Sequence, residues 1–237
     1  MSARRVFLPP ERIAEGRAAL TPEARHYLRD VLRLGPGAEL ELFDGEGGAY
    51  AAHLLAGFEA LALGPRREAR PILPLWLVVA LAKGEKMDLV VQKATELGAT
   101  RLIAFEGERS VVRLAPEKAR ERAERWRRIA AEAARQCGRA DAPEIDAPCT
   151  LAAALGSVPP SFLRFVLHPG GGPLPADEAP PGAAAVVGPE GGLTDTEVAA
   201  CEEAGARRVG LGPRVLRAET AAVVAVALLQ ARYGDLR

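Results

Sequence analysis

The chain has 237 residues, 49% of them hydrophobic, and its 31 basic and 31 acidic side chains leave a formal net charge of zero. This size allows one large domain or two modest ones, and no apolar run approaches the roughly 18 residues that a membrane span requires. Without an apolar signal region near the N-terminus or a metal-ligand spacing among its few cysteines and histidines, the chain is expected to be soluble, cytoplasmic and free of metal.

The first 70 residues predict a small β-barrel, because short apolar segments alternate there with Gly-rich turns. One helix is predicted among them, with Thr21 as its cap, Pro22 in its first turn and Gly35 as its end. Gly64, Pro65 and the prolines that follow indicate a linker, so we predict domains of residues 1–70 and 74–237. The predicted strands are "RRVFL", "AELELF", "AYAAHLLAGF" and "ALAL".

Beyond Pro74, apolar strands alternate with helices, which is typical of an α/β fold whose parallel sheet has helices on both faces. The predicted strands are "LWLVVALA", "RLIAF", "FLRFVLH", "AAAVVG" and "RRVGL". The predicted helices are "KMDLVVQKATELGA", residues 116–137, "EVAACEEAGA" behind a capping box of Thr194 and Glu197, and "ETAAVVAVALLQARY". The last helix is apolar on several faces, which requires burial by the sheet or by a partner chain.

Three of these strands end in turns rich in glycine and proline: "FVLHPGG", "VVGPEGG" and "VGLGPRVL". Ligands of open parallel sheets bind beyond the carboxyl ends of the strands, and glycines allow the backbone to approach a ligand closely. The glycine spacing fits neither a P-loop nor a dinucleotide loop. A pocket lined by main-chain groups suits a flat, neutral base as ligand. Arg214 and Arg217 could instead bind a phosphate. The alternative is three tight turns without a ligand.

Residues 109–139 contain ten basic and four acidic side chains, so this segment could face a polyanion such as RNA. The alternative is a solvated helix stabilised by pairs of charges one turn apart, for example among Glu117, Glu121 and Arg125. Charge alone does not decide between the two.

The segments "VVGPEGGLTDTE" and "LGPRVLRAETAAVVA" closely resemble the RsmE family of ribosomal RNA methyltransferases, in the knotted SPOUT superfamily. "KGEKMDLVVQKATELGA", "EAARQCGR", "RRVFL" and "HYLRDVLRL" match further family blocks, so the resemblance spans nearly the whole chain. It implies a PUA-like β-barrel that binds RNA, a SPOUT domain with a C-terminal trefoil knot, and a homodimer. The implied reaction transfers a methyl group from S-adenosylmethionine to N3 of uridine-1498 in the 16S rRNA of the small ribosomal subunit.

The resemblance and the residue chemistry together predict three sets of site residues. The predicted cofactor-binding residues are Leu167, His168, Gly188, Pro189, Gly191, Gly192, Leu211, Gly212, Val215, Leu216 and Arg217. The predicted catalytic residues are Glu190 and Glu219, as base or positioning groups, and Arg217 and Arg139, as stabilisers of charge on the base. The predicted RNA-binding residues are Lys83, Lys86, Lys93, Arg109, Lys118, Arg122, Arg125, Arg128, Gln136 and Arg139.

Several alternatives stay open at this point. Glu219 could serve only the first turn of its helix, Glu190 could be a plain loop residue, and His168 is better explained by packing than as a base. At the level of the whole chain, the alternatives are a SPOUT methyltransferase that acts on a ribose 2′-oxygen or on transfer RNA, and an RNA-binding protein without catalysis.

Overall fold

A computed structural model describes residues 4–45, 47–68, 73–175 and 179–236, with Arg67 and Glu68 described by their backbone only. The chain forms two compact units. The first comprises Met1–Pro71 and Ala131–Ala142, and the second comprises Ile72–Ala130 and Pro143–Arg237. The predicted domain limit at residue 70 lies outside the described residues.

The first unit contains a six-stranded sheet in the order β1-β4-β5-β6-β3-β2. β1 runs parallel to β4, and every other neighbouring pair is antiparallel. Apolar side chains such as Leu28, Leu42 and Leu61 are completely buried in its core. The strands are β1 (Arg5–Phe7), β2 (Ile13–Ala14), β3 (Arg17–Ala19), β4 (Glu39–Phe43), β5 (Gly48–Leu54) and β6 (Ala60–Glu68), of which the sequence analysis missed β2 and β3.

Two predictions for this unit are wrong in their limits. Helix α1 (Pro22–His26) begins at the predicted Thr21 cap and continues as one π-helical turn, Tyr27–Val31, so it ends before Gly35. The end comes early because Arg33 takes a positive φ of 51° and the Leu34 N–H donates to the Leu28 carbonyl at 2.9 Å. The predicted linker also overlaps β6: the register against β5 shifts between Tyr50 and Ala52, and such a bulge accommodates a proline inside a strand.

The second unit contains a six-stranded parallel sheet in the order β12-β10-β11-β7-β8-β9. Its strands are β7 (Leu75–Ala80), β8 (Arg101–Phe105), β9 (Glu144–Ile145), β10 (Leu163–Gly172), β11 (Ala183–Val187) and β12 (Ala206–Val209). Its helices are α2 (Lys86–Glu96), α3 (Pro116–Cys137), α4 (Leu151–Ser157), α5 (Asp195–Glu203) and α6 (Ala218–Tyr233). The predicted α/β class is confirmed, whereas the sequence analysis missed β9 and α4.

Helices cover both faces of this sheet, because successive strand residues point to opposite sides. Leu75, Leu77 and Val79 pack on one face with apolar residues of α2, α3 and α6. Val78 and Ala80 pack on the other face with residues of α4 and α5. This double burial explains why β11 is apolar and buried at every position. In the described part of the chain, no helix has both the length and the apolar content to cross a membrane.

One predicted turn proved to be part of a strand. β10 does not end before His168 but continues to Gly172, and both Leu167 and Gly172 pair with Val209 of β12. Residues 168–171 therefore form a large bulge between two points of the same pairing. The bulge places these residues beyond the regular end of the strand, where the sequence analysis expected a turn.

Candidate functional site

A cavity of about 290 Å³ opens at the carboxyl ends of β10, β11 and β12. The structure brings nine of the eleven predicted cofactor residues into its wall: Leu167, His168, Gly188, Pro189, Gly192, Leu211, Gly212, Val215 and Leu216. Gly191 and Arg217 belong to the same loops but do not line the cavity. The wall also contains residues that the prediction omitted from this set: Arg109, Pro169, Val187, Leu193, Arg214, Ala218 and Ala221.

The loop between β11 and α5 folds tightly on itself. A turn closes where the Gly192 N–H donates to the Pro189 carbonyl at 2.9 Å, with Gly192 at a φ of +72°. A Cβ on Gly188 would lie 2.8 Å from Leu193 Cγ, and one on Gly191 would lie 3.2 Å from Arg109 Cβ. Packing of the protein against itself therefore leaves no room for a Cβ at Gly188 and little room for one at Gly191, which the pattern did not reveal.

A buried carboxylate joins this loop to the loop that follows β8. Glu197 is 6% exposed, and its two oxygens accept the backbone N–H groups of Glu108 and Thr194, each at 2.8 Å. The second contact completes the predicted capping box of α5. From the loop after β8, Arg109 Nη1 donates to the carbonyls of Gly191 and Leu193, at 3.1 and 3.4 Å. Both loops are thus held in one arrangement at the cavity.

The third loop, between β12 and α6, is more open. Gly212 has a φ of +95°, and a Cβ there would meet nothing within 4 Å, so the backbone conformation and not packing explains this glycine. Val215 is 87% exposed beside the cavity. Arg217 is the residue before the first turn of α6, and its side chain makes no capping hydrogen bond. The first turn of α6 thus reaches the cavity wall through Ala218.

Charged side chains cluster next to the cavity around Lys86. Its Nζ donates to Glu190 Oε1 at 2.6 Å and lies 3.8 Å from Glu219 Oε2. The hydrogen bond from Lys86 lowers the pKa of Glu190, and the bond to Glu190 raises the pKa of Lys86. Glu219 Oε2 is buried and accepts no hydrogen bond within the part of the chain that the structure describes. Lys86, predicted to contact RNA, thus connects two of the predicted catalytic residues.

His168 is the one imidazole in the cavity wall. Its Nδ1 accepts the Gly170 N–H at 3.2 Å, so in the neutral ring the proton lies on Nε2. This contact links two residues of the β10 bulge, which agrees with the packing role favoured for His168. Over the described ranges, no three side chains of His, Cys, Asp or Glu come together as metal ligands.

The predicted RNA-binding residues fall into exposed and paired groups. Lys83 is exposed in the loop before α2, as are Lys118 and Arg122 on α3 and Gln136 near its end. The paired residues include Lys93 with Glu96 (2.9 Å), Arg125 with Asp88 (2.5 Å) and Arg139 with Asp141 (2.8 Å), while Arg128 contacts the Glu124 carbonyl at 3.5 Å. Gln136 and Arg139 belong to the first unit, whereas the cavity belongs to the second.

Family models match both parts of the chain. A model described as RNA methyltransferase domain matches residues 68–230, and one described as RNA methyltransferase PUA domain matches residues 20–60. Together with the parallel sheet and its cavity, these matches define the class of protein as an RNA methyltransferase with an N-terminal PUA-like domain.

Individual relatives identify the family within this class of RNA methyltransferases. The chain is 36% identical to ribosomal RNA small subunit methyltransferase E of Synechocystis sp. over 97% of its own length and 78% of the relative's. It is 30% identical to the protein of the same name in Bacillus subtilis, with 92% and 91% of the two chains covered. The chain belongs to the ribosomal RNA small subunit methyltransferase E family. The resemblance read from the glycine-rich loops is thereby confirmed.

Solved structures agree with this family. A methyltransferase of Legionella pneumophila, in complex with the bound cofactor SAM, matches with a TM-score of 0.88 and 33% identity over 100% of both chains. A ribosomal RNA small subunit methyltransferase E of Neisseria gonorrhoeae, bound to S-adenosyl methionine, matches with a TM-score of 0.86 and 30% identity over 99% of this chain and 100% of the other.

Proposed function

We propose that this chain transfers a methyl group from S-adenosylmethionine to N3 of a uridine, uridine-1498, in the 16S rRNA of the small ribosomal subunit. The observation that carries the proposal is the cavity at the ends of β10, β11 and β12, whose wall is built from three glycine-containing loops. Relatives named for the small-subunit RNA, and similar structures with bound S-adenosylmethionine, support the choice of substrate and cofactor.

The residues of the cavity fit this cofactor. Apolar residues and glycines make up most of the wall, which suits a flat base, and the described wall contains no Asp or Glu. The residues proposed to hold the cofactor are Leu167, His168, Gly188, Pro189, Gly191, Gly192, Leu211, Gly212, Val215, Leu216 and Arg217. When bound, the cofactor supplies a methyl group on a positively charged sulfur, an electrophile that needs no further activation.

The protein must then remove or share the proton on uridine N3 and orient the base. A carboxylate whose pKa is lowered is a weaker proton acceptor, so the Lys86 contact favours a positioning role for Glu190. Glu219, with a buried oxygen that accepts no hydrogen bond within the described ranges, is the better candidate for the proton acceptor. Arg217 and Arg139 are proposed to stabilise negative charge on O2 or O4 of the base.

RNA binding is proposed for the exposed face of α3 and for Lys83, with the PUA-like domain, residues 1–70 in the predicted division, as a second RNA-binding region. A homodimer is proposed as well, because α6 keeps partly exposed apolar side chains, including Leu228 at 40% exposure, after the sheet is covered. Sedimentation of the purified protein tests the dimer, and a monomer alone at working concentration would refute it. The trefoil knot stays a prediction.

The experiment that tests the reaction is methyl transfer from labelled S-adenosylmethionine to small-subunit particles that lack the modification. The RNA is digested and its nucleosides are separated by mass. Labelled 3-methyluridine at the proposed position is expected. Label in a 2′-O-methylated nucleoside would leave the cofactor in place and overturn the target, and cofactor binding without any transfer would favour an RNA-binding protein without catalysis.

A further inference from the structure

Arg109 is anchored at the cavity in a way that a simple RNA contact does not require. Arg109 is one of the residues that line the cavity, and its stem covers Gly191 so closely that a Cβ on that glycine would lie 3.2 Å from Arg109 Cβ. Its Nη1 donates to the carbonyls of Gly191 and Leu193. Two acceptors and one packed glycine therefore fix the orientation of the guanidinium.

The same contacts leave one edge of the guanidinium unused. Nη1 makes both bonds, and among the residues that the structure describes no acceptor contacts Nε or Nη2. Nε and Nη2 form the side-on edge of the planar group, whose two parallel N–H donors match the two oxygens of a carboxylate. Arg109, one of the residues that line the cavity, thus keeps a two-donor edge available for a carboxylate.

Arg214 is the other cationic side chain in the described wall, and it differs from Arg109 in this respect. Both residues are exposed, but no hydrogen bond orients the guanidinium of Arg214 within the described residues. A side chain that is already held loses less conformational freedom on binding than a free one. Of the two arginines, Arg109 is therefore the better receptor.

We propose that Arg109 binds the α-carboxylate of the methionine part of S-adenosylmethionine through its Nε and Nη2, and so belongs to the cofactor site and not to the RNA surface. The inference rests on the proposed cofactor. The methionine end of that molecule carries one carboxylate, and the wall offers it positive charge without a competing acidic side chain.

The test compares the binding of two nucleosides by calorimetry: S-adenosylmethionine and its decarboxylated analogue, which differs by the carboxylate alone. The wild-type chain is expected to prefer the complete cofactor, and R109Q to bind it about 10- to 100-fold more weakly, as expected for the loss of a charge-assisted pair. Binding of the decarboxylated analogue should change by no more than about threefold in R109Q, because that ligand lacks the group that Arg109 binds.

R113Q is the matched control, because Arg113 donates to the carbonyls of Gly107 and Glu108 in the same loop without lining the cavity. It should leave the preference for the complete cofactor unchanged. Equal weakening of both ligands in R109Q would show that Arg109 only supports the loop. If R109Q keeps the preference for the complete cofactor, another group binds the carboxylate and the proposal is wrong. Loss of that preference in R214Q would then identify Arg214 as the group. If the wild type binds neither nucleoside, the proposed function fails together with this assignment.

Discussion

The sequence predicts a binding role both for the cavity loops and for the exposed face of α3, but the structure holds their residues in different ways. In the β10 bulge and in the loop between β11 and α5, main-chain geometry, hydrogen bonds and close packing of glycines determine where the residues lie. On α3, long charged side chains reach into solvent, and partners such as Asp88 for Arg125 come from distant parts of the sequence. Single substitutions in the loops should therefore cause large losses of stability and cofactor binding. Single substitutions on α3 should each cause a small loss of RNA affinity.

The largest loss of stability is expected where an added Cβ would collide with the backbone of a neighbouring strand. A Cβ at Gly171 would lie 2.4 Å from the Val209 carbonyl carbon and 2.5 Å from Gly210 N, and these atoms cannot move without opening the β10 bulge. Gly171→Ala should cost about 3 kcal/mol of unfolding free energy and abolish cofactor binding, as measured by urea denaturation and calorimetry. Gly170→Ala is the control, since its nearest contact would be an ordinary 3.6 Å. Equal stability of the two variants would show that the bulge is not rigid.

The next largest loss of stability is expected when the buried carboxylate of Glu197, which joins two loops, is removed. Glu197→Ala removes the acceptor of the Glu108 and Thr194 N–H groups and should lower the unfolding free energy by about 2 kcal/mol. Thermal and urea unfolding measure this loss, and cofactor affinity should fall with it. Glu203→Ala, at the exposed end of the same helix, should be close to neutral. A harmless Glu197→Ala would mean that water replaces the carboxylate at little cost.

Much of the loop region could be predicted from sequence, because its signals are local. The capping box of Thr194 and Glu197, the strand β11 and the helix Pro116–Cys137 follow from neighbouring residues, and the structure confirms them. Nine predicted cofactor residues line one cavity because parallel strands end at the same edge of their sheet.

Contacts between distant parts of the chain could not be predicted in this way. The β10 bulge depends on a second pairing of Val209, and Pro65 is tolerated in β6 because the register of another strand shifts. The short β9 and α4 carry too few residues for a periodic signal. The partners of charged residues could not be predicted either: Lys86 and Arg109 were chosen as RNA-binding residues by charge, and the structure shows contacts with Glu190 and with carbonyls of the cavity loop. Their contact with RNA stays a prediction.

On α3, pairing should decide how much each cation contributes to RNA affinity. The double substitution of Lys118→Gln and Arg122→Gln removes two exposed cations and should weaken RNA binding several-fold, with the salt slope reduced by about 1.4 if both contact phosphates of a single strand. Binding isotherms across a salt series measure both quantities. Arg125→Gln should have a smaller effect, because Asp88 already binds that side chain. Cofactor affinity should be unchanged in all of these variants, and its loss would contradict the separation of the two surfaces.

The smallest change in stability is expected for Lys86→Met. Without its hydrogen-bond partner, the pKa of Glu190 should rise towards its ordinary value, which carbon NMR titration of labelled glutamate would show. Because folding lowers this pKa in the wild type, Glu190 stabilises the chain above its unfolded pKa, and that contribution disappears as the pH falls through the folded value. The stability difference between wild type and variant should therefore be present at neutral pH and shrink in acid.

Lys83→Met is the control for that prediction, since Lys83 is exposed in the loop before α2 and should leave the pKa of Glu190 in place. The proposed roles of Glu190 and Glu219 also predict how Lys86→Met affects methyl transfer. If Glu190 positions the base and Glu219 accepts the proton, Lys86→Met should leave cofactor affinity nearly unchanged while it alters the pH profile of methyl transfer. A pH profile identical to that of the wild type would show that the Lys86 cluster has no part in the reaction, and that its contacts serve only to hold the loop between β11 and α5.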